Sequence, residues 1–500
     1  MLRKIRIILA VVFFVGITLL LAGIGGRWWG WMAKLQFLPS CLALNFAVIA
    51  GIVLLTILLG RIYCSVICPM GVFQDFVIWI RRQGGLLLHK INERRLRRYA
   101  AAKKAGKEVE KPSTIKREVK HFEFNKERKW VRYPVLLLTI AAIAAGLQVV
   151  VAMIAPYSAY GRMVRTAVGL GSGESLAPAL LIAAAVTFVA ITLCAWLWGR
   201  AYCNTVCPVG TLLGLFSKAS LMHIKIDESK CVACGRCGRG CKSSCIDMDA
   251  HTVDYSRCVD CFDCIKRCKE GAITFGIGKP KAKEAAAAPA KECADNGRRQ
   301  FVLTAALLGG AAISAKAQKA HLDGGLADIV PKTNPARTEQ LVPFGAESVE
   351  NFYSRCTACQ LCVSNCPNHV LRPSTDLKHL LQPEMGYENG FCRPECTLCS
   401  EICPSGAIKA VTREQKLATH IGRASVNLDL CVSALGQDSC GNCAARCPVG
   451  AIRMVVDQES GRKVPAVSEE ICIGCGACEF LCPSRPVSAI TVNGLAVHHE

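Results

Sequence analysis

The stretch GRAYCNTVCPVG, residues 199–210, has a near copy earlier in the chain, GRIYCSVICPMG at residues 60–71. Both copies follow the frame G-R-x-Y-C-x-x-x-C-P-x-G, and each comes directly after a long apolar run. If the cysteines of a copy lie on a helix, their i, i+4 spacing puts both on one face. We therefore expect the four thiols either to converge on one metal or cluster or to act as redox thiols. The four are Cys64, Cys68, Cys203 and Cys207.

We call residues 60–71 the first module and residues 199–210 the second module. Arg61 and Arg200 are in matching positions of the two modules and would favour thiolates, because nearby positive charge stabilises that form. Two other cysteines, Cys41 and Cys194, are isolated within the apolar runs. We expect these two to be buried small apolar residues.

Four apolar segments are long enough to cross a bilayer, which requires about 20 residues. They lack Asp, Glu, Lys, Arg and His, and are roughly 7–26, 38–59, 133–155 and 176–198. Residues 81–132 between the second and third segments hold 18 Lys or Arg against 6 Glu. Positive charge concentrates on the cytoplasmic side of membrane proteins, so this loop and both ends of the four-span block are predicted to be cytoplasmic. The net charge of +22 is thereby explained without a nucleic-acid partner.

No haem is expected. The four apolar segments contain no histidine, and the chain has no C-x-x-C-H motif. Haem b with two histidine ligands inside the bilayer and covalent c-type haem are therefore both disfavoured.

Most of the 32 cysteines fall in tight runs related to C-x-x-C-x-x-C-x-x-x-C. This spacing is typical of [4Fe–4S] ligands in bacterial ferredoxins. Zinc sites of four cysteines instead use two pairs separated by a longer loop. The runs therefore predict iron–sulfur clusters, six in number.

Two runs, CVACGRCGRGCKSSC and CVDCFDCIKRC, follow the second module. In two-cluster ferredoxins, three cysteines of one run bind one cluster and the fourth serves the other. That rule assigns one cluster to Cys231, Cys234, Cys237 and Cys268. It assigns the other to Cys258, Cys261, Cys264 and either Cys241 or Cys245, between which the spacing does not choose.

Four more runs occupy the C-terminal part of the chain, and the last cysteine of each is followed by proline. The third of these runs is irregular, because eight residues separate Cys431 from Cys440. The runs are Cys356, Cys359, Cys362 and Cys366; Cys392, Cys396, Cys399 and Cys403; Cys431, Cys440, Cys443 and Cys447; and Cys472, Cys475, Cys478 and Cys482.

An Ala-, Lys- and Pro-rich linker at 279–297 separates the two groups of runs and is followed by Arg298 and Arg299. The next residues are modestly apolar and end in Ala-Lys-Ala, which is typical of a twin-arginine export signal. Because clusters are inserted in the cytoplasm, a cluster domain on the far side must cross already folded, as that route allows. We therefore expect residues 340–500 to be periplasmic.

The predicted architecture is multi-domain. It comprises a four-span α-helical membrane bundle, two α+β bacterial-ferredoxin-type domains and a signal-like crossing segment. The predicted boundaries are 1–222 for the bundle, 223–278 for a cytoplasmic two-cluster domain, 279–339 for the linker and crossing segment, and 340–500 for a periplasmic four-cluster domain.

Residues 1 to about 278, with both modules and two cluster runs, resemble NapH, the membrane ferredoxin subunit of periplasmic nitrate reductase systems. Residues from about 297 onward, with twin arginine and four runs, resemble its partner NapG. The resemblance covers nearly the whole chain and implies a quinol dehydrogenase component in the bacterial inner membrane. Electrons would pass from the quinone/quinol pool to a periplasmic reductase or cytochrome partner. This chain departs from the pattern by joining both halves, which leaves cleavage of the signal open.

Two other functions remain open. The chain is also consistent with a maturation or assembly factor that reduces the metal or cofactor of a partner enzyme, or with electron entry from a cytoplasmic donor to quinone. In every case about 30 Å of hydrocarbon separates the two ferredoxin parts. A quinone, the thiol modules or a partner subunit must bridge that gap, unless the two parts do not exchange electrons directly.

Overall fold

The computed structural model describes residues 1–104, 122, 124–174, 176–277, 322–323, 327–328, 330–458 and 460–499. The segment around Arg298 and Arg299 lies outside the described residues, so the export signal stays a prediction.

The N-terminal part is helical. Between α10 and the last of its helices, Tyr202–Val206 form one π-helical turn. The helices are α1 (Leu2–Leu21), α2 (Gly26–Lys34), α3 (Phe37–Leu42), α4 (Phe46–Leu59), α5 (Tyr63–Val66), α6 (Pro69–Lys104), α7 (Lys129–Ala144), α8 (Gln148–Ile154), α9 (Pro156–Gly171), α10 (Pro178–Trp198) and α11 (Pro208–Ser217).

Two helices in the described part of the chain, α1 and α10, are long and apolar enough to cross a membrane by length and composition. The other two predicted spans are broken into shorter helices. Residues 38–59 divide at Leu44, which has a φ of 53°, and Asn45 caps α4 by accepting a hydrogen bond from Val48 N. Residues 133–155 divide at Gly146, which has a φ of 71°. Left-handed backbone interrupts a right-handed helix, which sequence length alone does not reveal.

The segments that follow the first and third apolar runs, 27–37 and 156–175, are largely helical. They contain α2 and α9, and Pro156 occupies the first turn of α9, where its missing N–H leaves no helical hydrogen bond unmade.

Apolar side chains are exposed on many helices of this part, including α1, α4, α7 and α10. Leu137 on α7 is 69% exposed and Val186 on α10 is 63% exposed, and Ile8 on α1 and Leu54 on α4 are similarly accessible. Large exposed apolar surface marks a region that contacts a membrane or another apolar partner.

The N-terminal ferredoxin domain, residues 222–277, consists of short strands and single-turn helices. In its sheets β1 pairs with β4 and β2 with β3, both antiparallel. Ile224, Ile246 and Ile273 are buried among its cysteines. Its elements are β1 (Met222–Ile226), α12 (Arg236–Arg239), β2 (Ile246–Asp247), β3 (Thr252–Val253), α13 (Asp263–Arg267) and β4 (Ile273–Ile277).

The C-terminal ferredoxin domain, residues 340–499, is built in the same style and is preceded by a short pair of strands. Its antiparallel pairs are β7 with β8, β9 with β12 and β10 with β11. The elements are β5 (Leu322–Asp323), β6 (Ala327–Asp328), α14 (Val349–Arg355), α15 (Leu361–Ser364), β7 (Leu371–Pro373), β8 (Pro383–Met385), α16 (Leu398–Ile402), α17 (Arg413–Ala418), β9 (His420–Val426), a 3-10 turn (Leu428–Leu430), α18 (Asn442–Ala445), β10 (Ile452–Val456), β11 (Lys463–Val467), α19 (Ala477–Leu481) and β12 (Ile490–His499).

The two ferredoxin domains contact opposite ends of α1. At its start, Arg3 Nε donates to Asp263 Oδ1 of the N-terminal ferredoxin domain at 2.7 Å. At its end, Asn365 Nδ2 of the C-terminal ferredoxin domain donates to Leu20 O at 2.9 Å. A helix rises about 1.5 Å per residue, so the two contact points, 17 residues apart on α1, are separated by about 25 Å.

Candidate iron–sulfur centres

Two groups of cysteines line cavities in the N-terminal ferredoxin domain. Cys231, Cys234, Cys237 and Cys268 line one of them, which is the set that the ferredoxin rule assigned. The second cavity is lined by five cysteines, Cys241, Cys245, Cys258, Cys261 and Cys264. Both candidates for the fourth ligand of this set, Cys241 and Cys245, therefore line the cavity.

The pKa values of Cys241 and Cys245 shift in opposite directions. Their Sγ atoms are 3.5 Å apart. A hydrogen bond from Cys245 lowers the pKa of Cys241 to about 6, whereas hydrogen bonding to Cys241 and Cys258 raises the pKa of Cys245 well above its usual value. Since the thiolate is the ligand form, this asymmetry favours Cys241 as the ligand and Cys245 as a thiol that donates to it.

The C-terminal ferredoxin domain pairs its first run with its second and its third run with its fourth. Each resulting set takes three cysteines from one run and one from the paired run, a pairing that spacing alone left open. The sets that line cavities are Cys366, Cys392, Cys396 and Cys399; Cys431, Cys440, Cys443 and Cys482; and Cys447, Cys472, Cys475 and Cys478. The remaining thiols interact electrostatically with one another and are Cys356, Cys359, Cys362 and Cys403.

The backbone around these cysteines fits a thiolate-bound anionic group. In four runs, the residues before and after the second cysteine both have positive φ. Ala358 and Gln360, on either side of Cys359, have φ of 51° and 63°. Backbone of this kind turns successive N–H groups toward one side and forms a concavity for anions, as at many iron–sulfur sites. The flanking pairs are Ala233 and Gly235, Asp260 and Phe262, Ala358 and Gln360, and Gly474 and Gly476.

Main-chain donors also reach the last cysteine of several runs. Ala272 N donates to Cys268 Sγ, and Ala451 N donates to Cys447 Sγ, each at 3.3 Å. These residues therefore fit [4Fe–4S] ligation. In the described part of the chain, no group of three or more His, Cys, Asp or Glu is compact enough to hold a single metal ion. Four thiolates around a cubane stand further apart than four around one ion.

The structure brings the four thiols of the two modules together in the interior. Each is between 3% and 5% exposed, and Cys68 and Cys207 both interact electrostatically with Cys64 and Cys203. The expectation that both cysteines of a module share one helical face is wrong for both modules. In the first module α5 ends at Val66, before Cys68, and the second module departs in the same way. Its π-helical turn ends before Cys207, which is extended and caps α11 by accepting from Gly210 N at 3.4 Å. A proline follows each second cysteine and starts a new helix there.

The two modules hold each other through reciprocal contacts. Arg61 Nη2 donates to the main-chain oxygen of Cys203 at 3.2 Å, and Arg200 Nη1 donates to that of Cys64 at 2.8 Å. The last glycine of each frame leaves room for this approach. A Cβ at Gly71 would lie 2.1 Å from Cys64 O, and a Cβ at Gly210 would lie 2.1 Å from Cys203 O.

The first glycine of each frame docks on the N-terminal ferredoxin domain. Gly60 and Gly199 have φ of 80° and 67°, a region that favours glycine. A Cβ on Gly60 would lie 2.3 Å from Asp260 Oδ2, and one on Gly199 would lie 2.3 Å from Lys242 O. Each module therefore contacts a loop that carries candidate ligands.

Asp75, whose side chain is 10% exposed, is a residue of this joint that lies outside the sequence motifs. It pairs with Arg200 at 2.8 Å and with Lys242 at 3.2 Å, and Arg6 also contacts it. Burial alone would raise the pKa of the Asp75 carboxyl, but these three cations hold it well below its usual value. A single carboxylate in the apolar stretch after the first module is the signal that could have identified it.

Comparison with known proteins agrees with this geometry. The 4Fe-4S binding domain family matches residues 43–86 and 180–227, which contain the two modules, and the 4Fe-4S dicluster domain family matches residues 438–485. The ferredoxin-type protein NapF of Escherichia coli K12 is 31% identical over 149 residues, which are 30% of this chain and 81% of NapF. The chain belongs to the ferredoxin-type iron–sulfur proteins.

Two further relatives show how far the similarity extends. The methylamine utilization ferredoxin-type protein MauM of Methylobacillus flagellatus is 30% identical over 159 residues, covering 30% of this chain and 65% of MauM. An uncharacterised protein of Methanocaldococcus jannaschii, MJ0749, is 25% identical over 189 residues, or 38% of this chain. This ferredoxin-type protein is therefore a multi-domain iron–sulfur electron-transfer protein. The more specific resemblance to fused NapH and NapG stays a prediction.

Proposed function

We propose that this protein carries electrons across the bacterial inner membrane, from quinol to a periplasmic reductase or cytochrome. The observation that carries the proposal is the contact of the two ferredoxin domains with opposite ends of α1, about 25 Å apart, which is most of the thickness of a bilayer core. Domains with electron-transfer cofactors on both sides of an apolar helical block are suited to moving electrons through it.

The exposed apolar faces of α1, α4, α7 and α10 support a membrane location. In this proposal α1 and α10 span directly, and the helix pairs α3–α4 and α7–α8 are broken spans. A broken helix is tolerated at membrane depth where protein surrounds it. Gln148 illustrates this, because it is buried and hydrogen-bonded to Ser354 O of the C-terminal ferredoxin domain.

The orientation follows from the distribution of positive charge. Arg82, in the basic stretch after the first module, donates to Gly240 O of the N-terminal ferredoxin domain at 2.7 Å. Arg3 contacts the same domain. Basic residues favour the cytoplasmic side, so the N-terminal ferredoxin domain is cytoplasmic and the C-terminal ferredoxin domain is periplasmic in this proposal.

The six ferredoxin-type thiol sets would each hold one [4Fe–4S] cluster. Such clusters supply one-electron transfer at potentials set by hydrogen bonds to sulfur, burial and charge. The chain contributes those hydrogen bonds through Ala272, Ala451 and Ala489, whose N–H groups lie 3.3 Å from cysteine sulfur atoms. Quinol as the donor rests on the resemblance of residues 1–278 to NapH.

The experiment is anaerobic reduction of the purified full-length protein in liposomes by a quinol of the bacterial membrane, with cluster bleaching followed in the visible spectrum. The proposal predicts bleaching by quinol and reoxidation by an electron acceptor on the side of the C-terminal ferredoxin domain. Liposomes without the protein are the control. Reduction only by a cytoplasmic-type reductant, with quinone reduced to quinol, would reverse the direction. Bleaching without transfer to any acceptor protein would favour the maturation alternative.

A further inference from the structure

We propose that Cys64, Cys68, Cys203 and Cys207 together hold a seventh [4Fe–4S] cluster, which lies between the two ferredoxin domains. We call these residues the four-thiol site. The inference rests on the iron–sulfur electron-transfer part of the proposed function and does not require quinol to be the donor.

The site must be shared, because neither module alone supplies enough ligands. A [4Fe–4S] cluster takes four cysteines, and each module offers two. The hydrogen bonds from Arg61 to Cys203 O and from Arg200 to Cys64 O fix one module against the other. The repeated frame therefore has a common purpose: its arginines and glycines let two half-sites meet at their thiols.

The charges around the four-thiol site fit an anionic group. Arg61 is fully buried and forms no salt bridge with a carboxylate among the described residues. It donates instead to three neutral oxygens, those of Asn204, Ser256 and Cys203. Arg61 also interacts electrostatically with the buried Asp260, but a buried cation whose charge is only partly compensated is costly. Four thiolates around an iron–sulfur core carry net negative charge and would compensate it.

Two N–H donors at the four-thiol site also lack a hydrogen-bond acceptor among the described residues. Arg61 Nε and Arg200 Nη2 are buried and have no hydrogen-bond partner within the described part of the chain. Gln74 Nε2 already donates to Cys203 Sγ at 3.2 Å, and Arg61 Nη2 lies 3.8 Å from Cys64 Sγ. Donors directed at sulfur are the groups that stabilise thiolates and tune a bound cluster.

The four-thiol site lies between ligand sets of the two ferredoxin domains. On one side Arg200 interacts electrostatically with both Cys203 and Cys261. Cys261 packs against the same apolar core as Cys64, Cys68 and Cys207. The site is therefore next to the second thiol set of the N-terminal ferredoxin domain.

On the other side two tyrosines link the site to the C-terminal ferredoxin domain. Tyr202 lies beside Cys207 and donates from its hydroxyl to Ile154 O at 2.6 Å. Tyr157, three residues further along, is buried beside Cys359 and Cys403. The four-thiol site thus divides the distance between the two domains into two shorter steps. Each step would move one electron between neighbouring clusters, with no bond formed or broken and no proton transferred.

The test is iron and sulfide analysis of anaerobically purified full-length protein. Seven [4Fe–4S] sets predict about 28 iron atoms per chain, whereas six predict about 24. The double variants C64S/C68S and C203S/C207S should each lose about four iron atoms, and the quadruple variant should lose no more than either. The matched control, C41S/C194S, removes two cysteines from the same helical block and should lose none.

Three results would overturn the proposal. The first is about 24 iron atoms in the parent protein, with the double variants unchanged. The second is a loss in the quadruple variant twice that of each double variant, which would mean two separate sites. The third is zinc, or a disulfide, at these four cysteines in active protein. If the variants do not accumulate, the iron count of the parent still decides.

The outcomes separate this inference from the proposed function. Seven clusters that quinol does not reduce would support the four-thiol site and contradict quinol as the electron donor. Six clusters that quinol does reduce would support quinol as the donor and contradict a cluster at the four-thiol site.

Discussion

Arg61 and Cys203 are 142 residues apart in the sequence, yet the guanidinium Nη2 of Arg61 lies 3.2 Å from the main-chain oxygen of Cys203. Arg200 makes the matching contact to Cys64. This pair of contacts explains why the chain carries the same frame twice, since each copy supplies the arginine that holds the other copy.

Replacing Arg61 with alanine should destabilise the joint between the modules. The change removes donors from three buried oxygens, and one buried acceptor left without a donor costs about 1–3 kcal/mol. We expect a lower melting temperature of the holoprotein in detergent and partial loss of iron. Arg97→Ala is the control, because Arg97 is 79% exposed and should tolerate the change. An unchanged melting temperature for Arg61→Ala would contradict the role given to the reciprocal contacts.

Gly71→Ala and Gly210→Ala should weaken the joint between the modules, because each new Cβ crowds the carbonyl in its own module that the arginine of the other module contacts. Each new Cβ would lie 2.1 Å from a main-chain oxygen, so backbone has to move, at a cost of about 1–3 kcal/mol. Gly51→Ala is the matched control within the same helical block, because its Cβ would meet nothing within 4 Å. The melting temperature should fall for the first two variants and stay or rise for Gly51→Ala. A fall of equal size in all three would mean that close approach is not the cause.

Asp75→Asn should weaken the joint between the first module and the N-terminal ferredoxin domain. The variant leaves Arg200 and Lys242 without their shared carboxylate, and breaking a buried ion pair from one side costs about 3–5 kcal/mol. Glu93→Gln, which removes an exposed pairing with Arg97, is the control and should change little. Limited proteolysis should cut between residues 211 and 231 faster in Asp75→Asn than in the parent. Equal rates would argue against the ion pairs as the joint.

Cys241→Ser and Cys245→Ala should differ in cluster content. The contact between the two thiols lowers the pKa of Cys241 and raises that of Cys245, so Cys241 is the expected thiolate of the pair. We expect Cys241→Ser to lose one cluster, about four iron atoms, and Cys245→Ala to keep it with altered electron paramagnetic resonance. The reverse pattern would show that Cys245 is the ligand.

The thiol groups were largely predictable, because ligand spacing is a local property of the chain. The set Cys231, Cys234, Cys237 and Cys268 lines one cavity as the spacing suggested. The pairing of the C-terminal runs was not predictable. It depends on which runs the tertiary fold brings together, as when Cys431 joins Cys482, which lies 51 residues further along the chain.

The helical block was less predictable than the thiol sets. Hydropathy identified where the apolar segments lie, but the positive φ of Leu44 and Gly146 breaks two of them. Nothing in the composition of residues 38–59 or 133–155 fixes those angles, because they follow from packing. The link from Tyr202 to Ile154 O and on to Tyr157 likewise joins distant segments and has no sequence motif.

The central claim is that electrons pass between the ferredoxin domains at opposite ends of α1. Its most direct test uses oriented liposomes and a membrane-impermeant reductant supplied only on the side of the N-terminal ferredoxin domain. Reduction of the C-terminal clusters is then followed by electron paramagnetic resonance. The account predicts that the clusters held by Cys356 through Cys482 become reduced in the parent protein. Reduction confined to the two clusters of the N-terminal ferredoxin domain, with the C-terminal clusters still reducible from their own side, would contradict it.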